Sequence, residues 1–293
     1  TELLDVSVKS RQDLSIPTIN DPANQDLNNR FCASPTFRNC DQLKHDYQMA
    51  QLSECVYENT LCGNGYVKVN PKSVGLDVVD FEKDGFKATM YKSPNGEMIL
   101  AFRGSREAEI DWDNNIAQGK GESSDYYEQA RYLAWRLNKK GVKFHMTGHS
   151  LGGGLASAAA LDNELSATIF NSASVHPNTV PQYWQKAKNA KKLITTYTVE
   201  DDILSDLQDI TSPKTVDSKN SDGRIRATLA AVGNRIVLDN PSKDWIKQYK
   251  DSLPKGKGWK NFLSKRKRVL LHSMKAVLEA LKNKVKAQCN TLI

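Results

Sequence analysis

The sequence predicts an α/β protein: a mostly parallel sheet flanked by helices and entered through an antiparallel ribbon. Three observations carry this. Between residues 126 and 199, short β-prone runs alternate with helical stretches, the pattern of right-handed crossovers in a parallel sheet. Ahead of them, Asn95-Gly96 sits between two apolar runs and signals a hairpin. A Gly-rich turn then joins one of the later strands directly to a helix of small residues.

The elements follow in order. Residues 1–40 are polar, contain Pro17, Pro22 and Pro35, and read as an irregular arm; residues 41–293 read as one α/β domain. Leu43, Tyr47, Ala50 and Leu52 recur at helical spacing within residues 41–57. The runs 76–81, 86–91 and 98–103 form the ribbon. Residues 126–138 read as an amphipathic helix, closed by Lys139-Lys140-Gly141, basic residues then glycine as helix ends prefer. A strand at 142–147, a helix at 152–161, a strand at 167–171, a helix at 180–190 and a strand at 193–199 come next. Residues 207–268 break the alternation and read as a basic lid or cap insertion. Residues 269–286 form the last helix.

Composition narrows the function. With 39% hydrophobic and 26% charged residues a sizeable core is expected and wholesale disorder is excluded. No apolar run approaches the ~18 residues of a membrane span. The net charge of +7 is unevenly placed. Residues 1–242 carry 27 basic and 31 acidic side chains; residues 243–293 carry 14 and 3. Within 243–268, lysines and arginines interleave with Trp245, Tyr249, Trp259 and Phe262, a composition suited to an anionic membrane surface. Nucleic acid is the rival partner and a plain solvated lid the bland reading.

Five cysteines are present. Cys32, Cys40, Cys55 and Cys62 cluster near the N-terminus without zinc spacing, so two small disulfides are expected, for instance Cys32–Cys40 and Cys55–Cys62. Such bridges would place the protein in an oxidising compartment, secreted or periplasmic.

The chemistry lies in Gly148-His149-Ser150-Leu151-Gly152, a G-x-S-x-G between a β-run and a small-residue helix. That is the setting of a nucleophile elbow. The turn is tight enough to demand glycine, and Ser150 projects where helix N–H groups favour a developing oxyanion. A base and an acid should follow in the chain order serine, acid, histidine. His272, at the start of the last helix, takes the base position, with His176 as rival. The strand at 193–199 runs into Asp201 and Asp202, of which Asp202 is the favoured acid and Asp201 the second choice. Asp206 is next in line. A calcium loop from Glu200, Asp202, Asp206 and Asp209 lacks the Asp-x-Asp-x-Asp-Gly spacing. Oxyanion donors are the N–H of Leu151 and Ser105, the latter after Gly104 at the end of the 98–103 strand. No metal or cofactor is required.

The FRGS segment at 102–105, the GHSLGGGLA elbow, the strand ending in DDIL and the late HSM together resemble the class 3 lipase family, an α/β-hydrolase family. Asp111-Trp112, Asn115, the IFNSAS segment at 169–174 and the HSMKAVLEAL helix are similar to its Mbeg1-like bacterial branch. The resemblance covers about residues 76–206 and 270–282. It implies Ser150, Asp202 and His272 as a triad, Ser105 and Leu151 as oxyanion hole, and phospholipid or glyceride esters as substrates. A secreted phospholipase effector, with a cognate immunity protein in its producer, is the setting this suggests. The alternative is a non-catalytic membrane- or partner-binding module on the same fold.

Overall fold

The computed structural model describes residues 38–58, 62, 65–105, 125–205, 231–253 and 267–290. The expected N-terminal arm falls almost wholly outside this set, as do Asp111, Trp112, Asn115, Asp206, Asp209, Trp259 and Phe262.

The described strands are β1 (Val67–Lys68), β2 (Glu82–Lys83), β3 (Phe86–Lys92), β4 (Met98–Phe102), β5 (His145–His149), β6 (Ala167–Phe170), β7 (Ile194–Val199) and β8 (Asn234–Leu238). They run in the order β1-β3-β4-β5-β6-β7-β8, with β2 paired onto the start of β3. Pairing is antiparallel as far as β4 and parallel from β4 to β8. The Pro94-Asn95-Gly96 hairpin joins β3 to β4, with Lys92 opposite Met98 and Gly96 at φ 88°.

Parallel strands need crossovers, and these cover one face: α3 (Asp125–Lys139), α4 (Leu151–Asn163), α5 (Tyr183–Ala187) and α6 (Ala190–Leu193). The other face is covered by α1 (Cys40–Cys55) and α9 (Met274–Cys289), which pack on each other. Side chains alternate along a strand, so each strand feeds two cores. Leu100, Phe102, Met146 and Ile169 join Tyr127, Leu133 and Leu155 on the crossover side. Ile99, Ala101, Phe170 and Tyr197 join Met49, Leu52, Val277 and Leu281 on the other. Each Leu, Ile, Val, Phe or Met side chain among them, fully buried, contributes roughly 1.5–3 kcal/mol.

Local chemistry fixes the ends of the covering helices. Asn39 caps α1 by accepting from the Gln42 N–H (2.9 Å), and the Gln42 side chain accepts in return from the Asn39 N–H (3.1 Å). On α1, the buried Asp46 accepts the Tyr197 hydroxyl (2.7 Å) and pairs with Arg38 (3.2 Å), which locks the helix to β7. Ser273 caps α9.

The structure departs from the sequence reading at five places. Residues 76–81 do not form a strand. Val78–Phe81 is a short helix, α2, and the Asp80 carboxylate accepts from the Asp77 N–H (2.9 Å) at its start. The helix expected at 180–190 is split into α5 and α6. The last helix breaks at Ser273 into α8 (Lys267–His272) and α9, so His272 closes one helix rather than opening another. Inside the segment read as a lid, Asn234–Leu238 is a strand of the main sheet, with Val199 opposite Leu238, and Lys243–Ser252 forms helix α7. Finally, Cys40 bonds Cys289 instead of Cys32, across 249 positions of chain. Cys55 bonds Cys62, the other bridge expected.

Candidate active site

Ser150 stands between the last residue of β5 and the first of α4, at φ 57° and ψ −125°. This backbone is costly for a side chain, roughly 1–3 kcal/mol, and persists only where surroundings impose it. Here they do. The Ser150 N–H donates to Phe170 (3.1 Å), and its carbonyl accepts from Gly154 (3.1 Å) and Ala173 (2.9 Å). A Cβ on Gly148 would overlap the Gly152 carbonyl, and one on Gly152 would overlap the Phe102 carbonyl, so the turn admits only glycine at both places.

The Ser150 hydroxyl lies 2.8 Å from His272 Nε2, and His272 Nδ1 lies 2.7 Å from Asp202 Oδ1. An ionised carboxylate can only accept, so Nδ1 carries the proton and Nε2 is free to accept from Ser150. Asp202 is fully buried. Its other oxygen accepts the Ser205 N–H (2.9 Å) and hydroxyl (2.8 Å). Burial alone pushes the Asp202 carboxyl up. The charge of His272 and the hydrogen bonds from His272 and Ser205 outweigh that and hold it below its ordinary value.

Asp201 points elsewhere. It bonds the Lys267 ammonium (2.7 Å), is 43% exposed, and takes φ 59°. The strand ends at Val199, and the tight turn at Asp201 sends the two neighbouring carboxylates apart. The rival base, His176, only caps a turn, accepting from the Asn178 N–H (3.1 Å). His145 is buried between Ser166 (2.8 Å) and Thr168 (3.0 Å). Burial, then the charges of His45 and Arg38, hold it well below its usual range. His45 meets Glu97 at 3.0 Å; burial works against its charge, but Asp46 and Glu97 prevail and its pKa is raised to about 9.

Three further residues surround His272 and escaped the sequence reading as a group. His149 Nε2 donates to the His272 carbonyl (2.6 Å), and its Nδ1 accepts the Tyr57 hydroxyl (3.0 Å). Burial first, then the charge of His272, lower the His149 pKa to about 3, so it stays neutral. Asn171, fully buried at the end of β6, donates to the carbonyls of Leu271 (3.0 Å) and His272 (3.3 Å). His149 had a sequence signal as the variable position of the elbow, and Asn171 lay within the 169–174 segment of the resemblance without a role assigned to it; Tyr57 and Asn171 arrive from 92 and 101 positions away.

Leu151 opens α4, so its N–H is one of the unpaired donors of a helix start. Ser105 follows Gly104 just past β4, whose Phe102 lies opposite Gly148. Gly104 packs so closely on the His149 carbonyl and the Tyr57 hydroxyl that a Cβ would not fit. The segment bearing Ser105 therefore runs alongside the elbow.

A parallel sheet with a serine at the turn after a central strand, and helices on both faces, defines an α/β-hydrolase-like protein. The chain belongs to the Tle-like phospholipase family: the family model for the Tle-like phospholipase domain, described as phospholipase-like, matches residues 48–267. It is also similar to the extracellular phospholipase A1 of Serratia liquefaciens, with 33% identity over 181 residues, 57% of this chain and 56% of that protein. The chain thus spans a little over half the length of that relative.

Proposed function

We propose that the protein is a serine carboxylic-ester hydrolase that releases fatty acid from phospholipids. The observation that carries this is the unbroken hydrogen-bonded line from Ser150 through His272 to the buried Asp202, set at the start of α4. Ser150 attacks the acyl carbonyl while His272 takes its proton at Nε2. Asp202 fixes the imidazole and stabilises its charge. The tetrahedral oxyanion forms beside the Leu151 and Ser105 N–H groups and the helix terminus. His272 then returns the proton to the leaving lysophospholipid alcohol. Water, deprotonated by the same imidazole, releases the fatty acid.

Phospholipid as substrate draws support from the family and from the name of the Serratia relative, which also favours the ester at the first glycerol carbon. Two disulfides suit an oxidising compartment, and with the extracellular relative they favour action outside the cytoplasm. An anionic membrane surface is the partner of residues 243–268. On α7, Lys243, Lys247 and Lys250 are exposed, while Trp245 packs against the core between α1 and α9. Attraction by this helix is therefore electrostatic rather than aromatic. A neutralising protein in the producing cell completes the effector reading.

The test is labelling of the folded protein with a fluorophosphonate probe, followed by mass spectrometry of products from defined diacyl phospholipid. Labelling at Ser150, absent from Ser150→Ala, and release of free fatty acid are expected. An unlabelled wild-type protein, or headgroup release, would sink the proposal.

A further inference from the structure

His272 sits where two helices meet. α8 ends at His272 and Ser273 caps α9, so the carbonyls of Leu271 and His272 belong to a helix end that lacks intrahelical partners. The amide of Asn171 meets that need. Its Nδ2 donates to both carbonyls, at 3.0 and 3.3 Å, while its Oδ1 accepts the Val199 N–H at 2.9 Å. Val199 ends β7, and the turn that follows brings the Asp202 N–H back onto the Val199 carbonyl (3.1 Å). One side chain therefore bonds, on one side, the strand end that carries the carboxylate. On the other it bonds the helix end that carries the imidazole.

Asn171 holds this place at a cost. It is fully buried and takes φ 39°, in the left-handed region that only glycine enters freely and asparagine tolerates. Both its amide N–H groups and one lone pair of its amide oxygen are spent on these two elements. Its own N–H donates to the Tyr197 carbonyl (2.8 Å), so the residue is also anchored in the sheet.

The geometry points to Asn171 as a positioning residue for the base: it sets the separation of Asp202 and His272, and through them the Ser150–His272 contact. This role rests on the Ser150–His272–Asp202 reading above. Asn171 never touches substrate. It acts by keeping an imidazole, supplied from 101 positions later in the chain, at hydrogen-bond distance from two groups at once. A displacement of about 1 Å in such a site costs about 100-fold in rate.

Two substitutions separate positioning from mere stability. Asn171→Asp keeps size, tolerates the same backbone and keeps an acceptor for Val199, but turns a carboxylate oxygen toward two carbonyl oxygens. Asn171→Gly accepts the backbone and removes the amide. Both are compared with wild type by thermal melting and by rate of Ser150 labelling. Hydrolysis of a soluble short-chain ester is followed from about pH 5 to 9. In both, kcat should fall about 10- to 100-fold with KM within about twofold, and labelling should slow in proportion. If the aspartate variant does not fold, the glycine variant decides by its kcat and labelling rate. A kcat within about threefold of wild type in folded variants, or a loss confined to KM or to melting temperature, overturns the role. Labelling of wild type at Ser150, lost in Ser150→Ala, tests the triad separately. If that control fails, the triad reading falls first, and the role of Asn171 with it.

Discussion

Replacing Cys40 and Cys289 together by serine removes a cross-link between positions 249 apart. In the chain-entropy account, opening a loop of that length costs about 5.5 kcal/mol at 25 °C, and the loss of native bridges typically costs about 2–5. The effect should therefore fall near about 5 kcal/mol. For a chain of 293 residues the unfolding entropy is about 0.6 kcal/mol/K, which turns that into a fall in Tm of about 8 °C. The internal standard is Cys55→Ser with Cys62→Ser. That bridge spans 7 positions, so the same relation gives only about 2.5 kcal/mol, or about 4 °C. Calorimetric melts of both double variants without reductant, beside wild type with and without reductant, make the comparison. A long-bridge variant that melts within about 2 °C of wild type, or above the short-bridge variant, would refute the reasoning.

Asp202→Asn should lower kcat on a soluble ester by about 10³–10⁴, while Asp201→Asn should stay within about twofold, since it loses only a surface ion pair with Lys267. A large loss at Asp201 would mean the turn is misread. Changing Lys265, Arg266, Lys267 and Arg268 to Gln should weaken binding to anionic vesicles by about 1 kcal/mol per charge at low salt and leave the soluble ester untouched; equal losses on both substrates would give the segment a structural role instead. Stability should peak near about pH 6.5. His149 and His145, held below their usual range, refuse a proton that the unfolded chain accepts, so each removes up to about 1.4 kcal/mol per pH unit on acidification from there. His45, raised to about 9, works in the opposite sense: its contribution is complete below about pH 6.5 and is lost as pH climbs toward 9. Urea unfolding at about pH 5, 6.5 and 9 checks this, and a stability that rose steadily across the range would count against it.

The residues that the structure brings together around Ser150 were legible because each lies where local pattern constrains it. Gly148 and Gly152 mark the elbow since no other residue fits there. Asp202 could be read from the end of an apolar strand, and His272 from chain order. What the sequence hid was set by distance. Asn171 is a polar residue at the end of a buried run, and nothing nearby reveals that its partners are Leu271 and Val199. Cys40 had three cysteines close by in sequence, yet its partner lies at the far end of the chain, brought there by the packing of α9 on α1. The strand at 234–238 escaped because, among the described residues, it ends the sheet: Arg235 and Val237 are exposed, and a half-exposed strand in a basic stretch looks like loop. Residues 76–81 are apolar enough for a strand, but Asp77 and Asp80 cap a helical turn instead.

His272 comes late. His272 follows Ser150 by 122 positions and Asp202 by 70. The helix that follows it, α9, rests on α1, β7 and β8. During synthesis the serine turn and the carboxylate strand leave the ribosome well before the imidazole does. A nascent chain that stops short of α9 displays the Ser150 turn with no imidazole held against it. The covalent tie between Cys40 and Cys289 can close only after that helix has been made and docked. On the reading proposed above, translation order works as a safety catch: the serine turn is made long before the imidazole that would activate it is seated.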